Sequence, residues 1–387
     1  MSVVLQYLEV DVMKKELFFD FSRSFINAEN IDTVFLENFP EEAKWGPGVI
    51  AELYKLGNVV IPNDVPWIDH LNNVPPLPRE ELADIIKSAA KTSGSAIAVT
   101  GPKSALISAK AGIDFFKQNQ TPEIIFLDAD SKDYKAGMKR LKKLDFYICN
   151  IDGGDSSPQE RDVLDNALKL LRKKCGDESR LLSFNIANSA FKGAFCILSP
   201  ASLFLLAVRG VNIEEMVAGA ELEPMPDLSL YVPDTCGDAG MGKEHLMPPS
   251  YLPIKYYSII RNMMTKQGRP IEVFRWTDPA FGAFAGWLKN LFQENPTGLS
   301  VDEKFLSVTP TPAENSFETI LDFRNDSSSP ENTSSADAKN KLLVNEMLRN
   351  RYVSRSPLLR IELPDRSPHS YGRLIAFFSR VSHILWK

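Results

Sequence analysis

From Ser95 onward, short uninterrupted apolar runs alternate with segments of helical periodicity, and this alternation limits the folds open to the chain. "SAIAVTG" (95–101) is followed by "ALISAKAGIDFFKQN" (105–119), "EIIFLDA" (123–129) by "KDYKAGMKRLKKL" (132–144), and "DFYICNI" (145–151) by "ERDVLDNALKLLRKKCG" (160–176), with a further strand-like run in "RLLSFNI" (180–186). Strands that are apolar throughout are buried on both faces, as in a parallel sheet covered by helices on each side. The stretch "FKGAFCILSPASLFLLAVRG" (191–210) and the helical "NIEEMVAGAEL" (212–222) end this first unit. After the loop "VPDTCGDAGMGKEHLMPPS" (232–250) the rhythm resumes. Helix "IKYYSIIRNMMTKQG" (254–268) precedes strand "PIEVFRW" (270–276), and helix "FGAFAGWLKNLFQEN" (281–295) precedes strands "KFLSVTP" (304–310), "ETILDF" (318–323) and "PLLRIELPD" (357–365). Helix "SYGRLIAFFSRVSHILWK" (370–387) closes the chain. The reading is an α/β fold of two doubly wound parallel-sheet domains, αβα sandwiches at 91–235 and 236–387, after an N-terminal extension at 1–90 that contains the helix pattern "REELADIIKSAAKTSG" (79–94). Residues 324–340, rich in Ser, Asn and Asp, read as a mobile solvated loop.

With 387 residues the chain holds two to three ordinary domains, and 44% hydrophobic with 24% charged residues is ordinary for a soluble globular protein. A net charge of −6 argues against nucleic acid as a partner. No run approaches the roughly 20 apolar residues of a membrane span, and the N-terminus lacks the basic start of a signal peptide. No membrane partner is expected, and the localisation expected is cytoplasmic. Cys149, Cys175, Cys196 and Cys236 form no CxxC pair, so reduced thiols are expected rather than structural zinc.

The stretch "NIDGGDSSP" (150–158) links an apolar run to a helix start through glycines and hydroxyls, a common recipe for holding an anion on helix N–H groups. Asp152 and Asp155 stand where the anion would sit. The alternative reading is an ordinary strand-to-helix turn with Asp155 or Ser156 as the N-cap.

In the order of its segments the chain resembles the phosphoglucose isomerase family, built from two sugar isomerase (SIS) domains, from about Trp67 to the C-terminus. "GPKSALISAKAGIDFF" stands where that family has a GIGGS-type segment. "FKGAFCILSPASLFLLAVRGVNIEEMVAGA" fits a second family segment without a gap, and "YYSIIRN", "GAFAGWLKNLFQEN", "ENSFETIL", "RIELPD" and "YGRLIAFFSRVSHIL" follow the later landmarks in order. The resemblance implies two SIS-like domains, a role in sugar-phosphate metabolism (glycolysis and gluconeogenesis), and no cofactor.

The residues that the resemblance assigns to phosphate binding are altered. In the first loop Pro102 removes an N–H, Lys103 replaces a glycine, Ser104 is one position early and Ala105 stands at the family's serine. In the second loop Asn150 stands at a serine, Ile151 at a lysine, Asp152 at a hydroxyl, and Gly154 and Asp155 at two threonines. Gly153 is kept, and Ser156 and Ser157 follow at the third hydroxyl and the acid. The sugar-phosphate-binding candidates are Lys103, Ser104, Asn150, Gly153, Gly154, Ser156 and Ser157. An unpaired carboxylate ~4 Å from a phosphate costs about 4 kcal/mol at an effective dielectric of ~20, so weak binding is expected.

Aldose–ketose isomerisation needs a base, an acid and a cation near the enediolate charge. The family's base falls at Glu294 in "WLKNLFQEN", the one catalytic type retained, with an exposed helix-end glutamate as its ordinary reading. The family's arginine falls at Ala194, two residues from Lys192. The segment carrying the family's histidine is missing between "FLSVTP" and "ETIL", and the chain stops at Lys387, before the family's C-terminal lysine segment. His70, His245 and His383 match no family position. The pairs Asp152/Asp155 and Asp128/Asp130 are read as solvated turns, and no metal site is assigned. The expectation is a family relative with little or no catalysis, acting as a sugar-phosphate-binding or structural protein. The alternative is an active glucose 6-phosphate/fructose 6-phosphate isomerase with Glu294 as base. Aromatic-rich "GAFAGWLKNLF" and "LIAFFSRVSHILW" suggest faces to be covered within the monomer or in a homodimer, with the dimer favoured and a heterologous partner as the other possibility.

Overall fold

The computed structural model describes residues 17–20, 77–92, 94–116, 122–128, 134–153, 158–186, 193–221, 252–276, 278–294, 300–305, 314–324 and 357–383, together with 342, 345–346 and 349–350. A short strand β1 (Phe18–Asp20) and a helix α1 (Leu82–Lys91) precede the first α/β unit. That unit runs β2 (Ala96–Thr100), α2 (Lys103–Phe115), β3 (Ile124–Phe126), α3 (Tyr134–Leu141), β4 (Phe146–Asp152), α4 (Pro158–Cys175) and β5 (Leu181–Asn185). Its four strands are parallel, in the order β3-β2-β4-β5. A 3-10 turn at Gly193–Leu198 leads into α5 (Pro200–Val208) and α6 (Ile213–Ala220).

The second unit follows with α7 (Leu252–Lys266), β6 (Ile271–Trp276), α8 (Ala280–Glu294), β7 (Ser300–Phe305), β8 (Ser316–Phe323), β9 (Leu358–Leu363) and α9 (Pro368–His383). Its sheet runs β1-β9-β8-β6-β7, and β6, β7, β8 and β9 are mutually parallel, so each unit is built on a four-stranded parallel sheet. Strand β1 adds to the outer edge antiparallel, Phe19 opposite Ile361. The two-unit α/β expectation is therefore met, with the N-terminal strand contributing to the second sheet.

Local chemistry explains most boundaries. All five residues of β2 are buried, as its unbroken apolar run requires. Pro200 opens α5 behind Ser199, whose hydroxyl accepts from the Ser202 N–H at 3.3 Å, and Asn212 caps α6 by accepting from the Glu215 N–H at 3.1 Å. Of the strand expected at 304–310, the described residues Lys304 and Phe305 lie in β7, which begins at Ser300. Pairing with β6 sets it there, Ile271 opposite Ser300 and Trp276 opposite Phe305. Residues 306–313 and the expected mobile loop, apart from its first residue, Arg324, lie outside the described residues.

One large apolar core spans both units. Ile97 and Val99 of β2 belong to it together with Phe274 of β6 and Ile361 of β9, and a smaller cluster lies between Ala96 and Ala98 of β2 and the helices α3 and α4. The described aromatics of the two stretches that suggested uncovered faces, Phe284, Trp287, Phe292, Phe377 and Phe378, are buried inside the chain, while Trp386 lies outside the described residues. Tyr371 stacks on Phe115 with ring centroids 4.2 Å apart, and Phe284 packs on Trp287 at 4.9 Å. The monomer itself covers these side chains, so they give no argument for a dimer. Beneath the second sheet, Glu272 is fully buried. It accepts from Tyr257 Oη, from Arg261 Nε at 2.7 Å and from Thr319 Oγ1 at 2.6 Å, while the Arg261 guanidinium sits 3.8 Å from the Phe292 ring centre.

Helices α6 and α9 cross at backbone contact, and two glycines permit it. A methyl group at Gly219 would overlap the His369 carbonyl oxygen, and one at Gly372 the Met216 carbonyl oxygen. Neither obstacle is a flexible side-chain end, so Gly372→Ala should cost at least about 3 kcal/mol through overpacking. Gly282, inside α8, meets only the Trp276 ring at 3.5 Å. Gly282→Ala should be neutral or stabilising by up to about 1 kcal/mol, since alanine is the better helix former. Urea unfolding of the two variants checks the contrast, and equal midpoints would contradict the close crossing.

Burial, reinforced by the Glu272 charge, holds the Tyr257 phenol well above its usual value, and burial with the Asp114 charge does the same for Tyr371. The folded chain keeps these protons while the unfolded chain loses them near pH ~10. The stability involved is thus fully present below pH ~10 and falls as pH rises further, where the native state binds more protons than the unfolded one. The urea midpoint should drop between about pH 9.5 and 11. Tyr371→Phe, which removes a hydroxyl with no hydrogen-bond partner among the described residues, should flatten that drop.

Candidate functional site

In an open parallel sheet, ligands sit outside the carboxyl ends of the strands where the winding direction reverses. The order β3-β2-β4-β5 puts that point between β2 and β4 in the first sheet. The two loops leaving it are those the sequence marks. Gly101 and Pro102 carry the chain from β2 into α2, and Asp152 ends β4 with Gly153 after it.

The two loops press against each other. A side chain at Gly101 would place its Cβ 2.7 Å from the Ile151 carbonyl oxygen and 2.8 Å from the Ile151 Cβ. One at Gly153 would overlap the Pro102 ring. Both glycines are thus required by close approach at the sheet edge, and the substitution of Pro102 into the first loop is accommodated because Gly153 has no side chain.

Four of the expected binding residues gather at this edge. Lys103, the first residue of α2, is exposed; Ser104 beside it is half-buried, and its carbonyl receives Ser108 Oγ at 2.8 Å. Asn150 lies in β4 opposite Thr100 of β2 and Ser183 of β5, and Gly153 follows directly after the last residue of β4. Gly154, Asp155, Ser156 and Ser157 lie outside the described residues, as do Lys192, His70 and His245. Asp152 is exposed, so water screens its charge. Thr100, which sequence reasoning passed over, ends β2 fully buried with no hydrogen-bond partner for Oγ1 among the described residues. The available signal was its place directly before the glycine turn.

Glu294 is the last residue of α8. Its position follows from how α8 packs on α2. The Phe281 ring at the start of α8 meets the Phe115 ring at the end of α2, centroids 5.7 Å apart. Midway, Trp287 Nε1 donates to the Ala194 carbonyl at 2.7 Å, and Ser108 Oγ of α2 lies 3.1 Å from the same oxygen. The helices therefore run antiparallel. At about 1.5 Å per residue, Glu294 is about 10 Å beyond Trp287, toward the end where α2 begins and the Gly101 loop lies. The fold directs the retained glutamate and the first glycine loop to the same end of the helix pair.

Ala194, where the family resemblance places an arginine, is fully buried in the 3-10 turn, with its carbonyl taken up by Trp287 and Ser108. Two thiols lie in the same core. Burial pushes the Cys196 thiol up to about 11, although hydrogen bonds from Ser199 and Ser202 pull the other way, and burial raises Cys149 further. Neither is a nucleophile at neutral pH. Among the described residues no three His, Cys, Asp or Glu side chains converge as a metal site would require, and no helix is long and apolar enough to cross a membrane.

No family model matches the chain. It is 27% identical over 254 residues to glucose-6-phosphate isomerases of Bacillus cereus (strain B4264) and Bacillus thuringiensis (strain Al Hakam), the alignments covering 56% of this chain and 52% of each relative. The chain thus spans about half the length of the curated relatives it matches. Among solved structures, its fold is similar to a glucose-6-phosphate isomerase from Chlamydia trachomatis D/UW-3/Cx, at a TM-score of 0.61 and 11% identity over 96% of this chain and 83% of that one. It is also similar to a hypothetical protein from Thermus thermophilus, at a TM-score of 0.55 and 15% identity over 91% and 92% of the two chains. The chain is thus similar in sequence to glucose-6-phosphate isomerases over 56% of its length, and its fold of two units on parallel sheets is similar to that of a solved glucose-6-phosphate isomerase.

Proposed function

We propose that the chain binds a phosphorylated sugar at the carboxyl edge of the first sheet and turns it over little or not at all. It would act in the cytoplasm as a binding or structural relative of the isomerases. The observation that carries this reading is Ala194. The position assigned to the enediolate-stabilising arginine is sealed in the core, and its backbone joins two helices. Removing one donor to a developing oxyanion typically lowers the rate ~10²–10³-fold. Loss of several groups of one constellation is not additive, but leaves little. A second reading, an active isomerase with Glu294 as base, draws support from the antiparallel α2–α8 pair that points Glu294 toward the glycine-loop end.

A coupled assay on the purified full chain separates the two. The expected rate with glucose 6-phosphate is that of the background. Turnover above background that Glu294→Gln abolishes would establish the second reading instead.

Restoring the arginine should not restore activity. Ala194→Arg forces a long cation into a filled, dry site, and should cost roughly 3 kcal/mol or more, read as a lower urea midpoint without gain of turnover. An arginine variant as stable as the parent and newly active would show that the position opens onto the site.

A further inference from the structure

The buried Thr100 hydroxyl sits at this same edge, and nothing in the family resemblance assigns it a part. Side chains alternate across the pleat, and the two cores show which way each residue of β2 faces. Ile97 and Val99 join the large core, whereas Ala96 and Ala98 join the cluster with α3 and α4. Thr100 therefore shares the α3/α4 face, at the last rung of the strand. In β4, Cys149 and Ile151 face the large core and Phe146 and Ile148 the other, so Asn150 stands beside Thr100 on the same face and in the same rung. Ser183 continues the rung in β5. The rungs below are apolar, so polar side chains enter this face at the switch point.

Thr100 is 1% exposed, and its Oγ1 has no hydrogen-bond partner among the described residues. A buried hydroxyl without a partner is uncommon, because the group has given up water for nothing. The contact of Gly153 with the Pro102 ring lies over the ends of β2 and β4 directly after this rung. Among the described residues, Pro102 and Gly153 are the loop residues that follow this rung, and a ligand that reaches the hydroxyl would part them.

We infer that Thr100 is a binding residue for the phosphate monoester of the ligand, donating its hydroxyl proton to a phosphate oxygen when the Pro102–Gly153 contact opens. The inference rests on the reading of this edge as a sugar-phosphate site and adds to it a donor outside the two glycine loops. A hydroxyl satisfied only in the liganded state has a distinct signature, since it contributes to affinity and not to the stability of the free chain.

Thr100→Val keeps the shape and deletes the donor, and Thr100→Ser keeps the donor and deletes the methyl group. Binding of glucose 6-phosphate and of inorganic phosphate to the full-length chain is to be measured by calorimetry, alongside the ligand-free melting temperature. Thr100→Val should bind both about tenfold more weakly, the loss of one hydrogen bond, with a ligand-free melting temperature equal to or above that of the parent. Thr100→Ser should bind within about threefold of the parent. If Thr100→Val binds like the parent, the inference is overturned while the site stands. If the parent binds neither compound, the reading of the edge as a phosphate site falls, and this inference with it. A weaker-binding Thr100→Val whose ligand-free form also melts well below the parent would overturn the inference in favour of a structural role for the hydroxyl.

Discussion

The joint at the Ala194 carbonyl is the point on which the two halves of the molecule depend. One oxygen receives the Trp287 indole N–H from the second unit and lies against the Ser108 hydroxyl of the first. It lies in the buried 3-10 turn Gly193–Leu198, and a shift of either helix would cost it one of these two hydrogen bonds. A lost hydrogen bond costs about 1 kcal/mol, enough to favour one placement of α8 on α2 over its neighbours. Around this joint the apolar core runs without a break from Ile97 to Ile361. The two sheets therefore behave as one body with a shared interior, and the site at the first sheet's edge is built against a helix that belongs to the second.

That arrangement bears on the chemistry. An arginine at position 194 would have to fit its guanidinium into a turn that is fully buried. The chain has instead made the turn part of the core: Ala194, Cys196, Ile197 and Leu198 are all buried. Apolar burial yields about 25 cal/mol for each Å² removed from water, whereas a desolvated guanidinium has to find a partner. The buried charges that remain in the second unit have found theirs, Glu272 with Arg261 and Glu318 with Arg275 at 2.8 Å.

Most of the fold could be read in the sequence because strand burial and helix periodicity are written locally. The run "AIAVT" could only be a strand covered on both faces, and "GWLKNLF" could only be a helix with an apolar stripe. The start of β7 was placed late because "SVDEKF" is half charged, and its register comes from pairing with β6, a contact about 30 residues away in sequence. Strand β1 was missed for the same reason. Three residues on a sheet edge carry too little pattern to outweigh the charged segment around them. At the site, the glycines announced the loops, but what each glycine avoids, Ile151 for Gly101 and Pro102 for Gly153, is a tertiary fact. Thr100 was illegible because a threonine at the end of a strand is ordinary. Only three-dimensional accounting shows that its hydroxyl has no partner among the described residues.

The second sheet has a switch point of its own, between β6 and β8, and the two places differ in what fills them. In sequence the two helices are preceded by similar tripeptides, Thr100–Gly101–Pro102 before α2 and Thr277–Asp278–Pro279 before α8. They differ at the middle residue, and the consequence is physical. Gly101 puts no carboxylate at its helix start, where the charged side chain is that of Lys103. Asp278 puts a carboxylate there, accepting from the Ala280 N–H at 2.9 Å and pairing with Arg366, whose guanidinium covers the Phe323 ring at 4.7 Å. The helix start that could attract an anion already holds one of the chain's own. The antiparallel helix pair completes the closure, because the end of α2 brings Phe115 into contact with Phe281 and Phe323 at the carboxyl end of the second sheet, centroids 5.7 and 5.9 Å away. The helix pairing that carries Glu294 toward the first switch point thus fills the second with aromatic rings. One packing arrangement thus leaves glycine loops at the first switch point and a paired carboxylate with aromatic rings at the second.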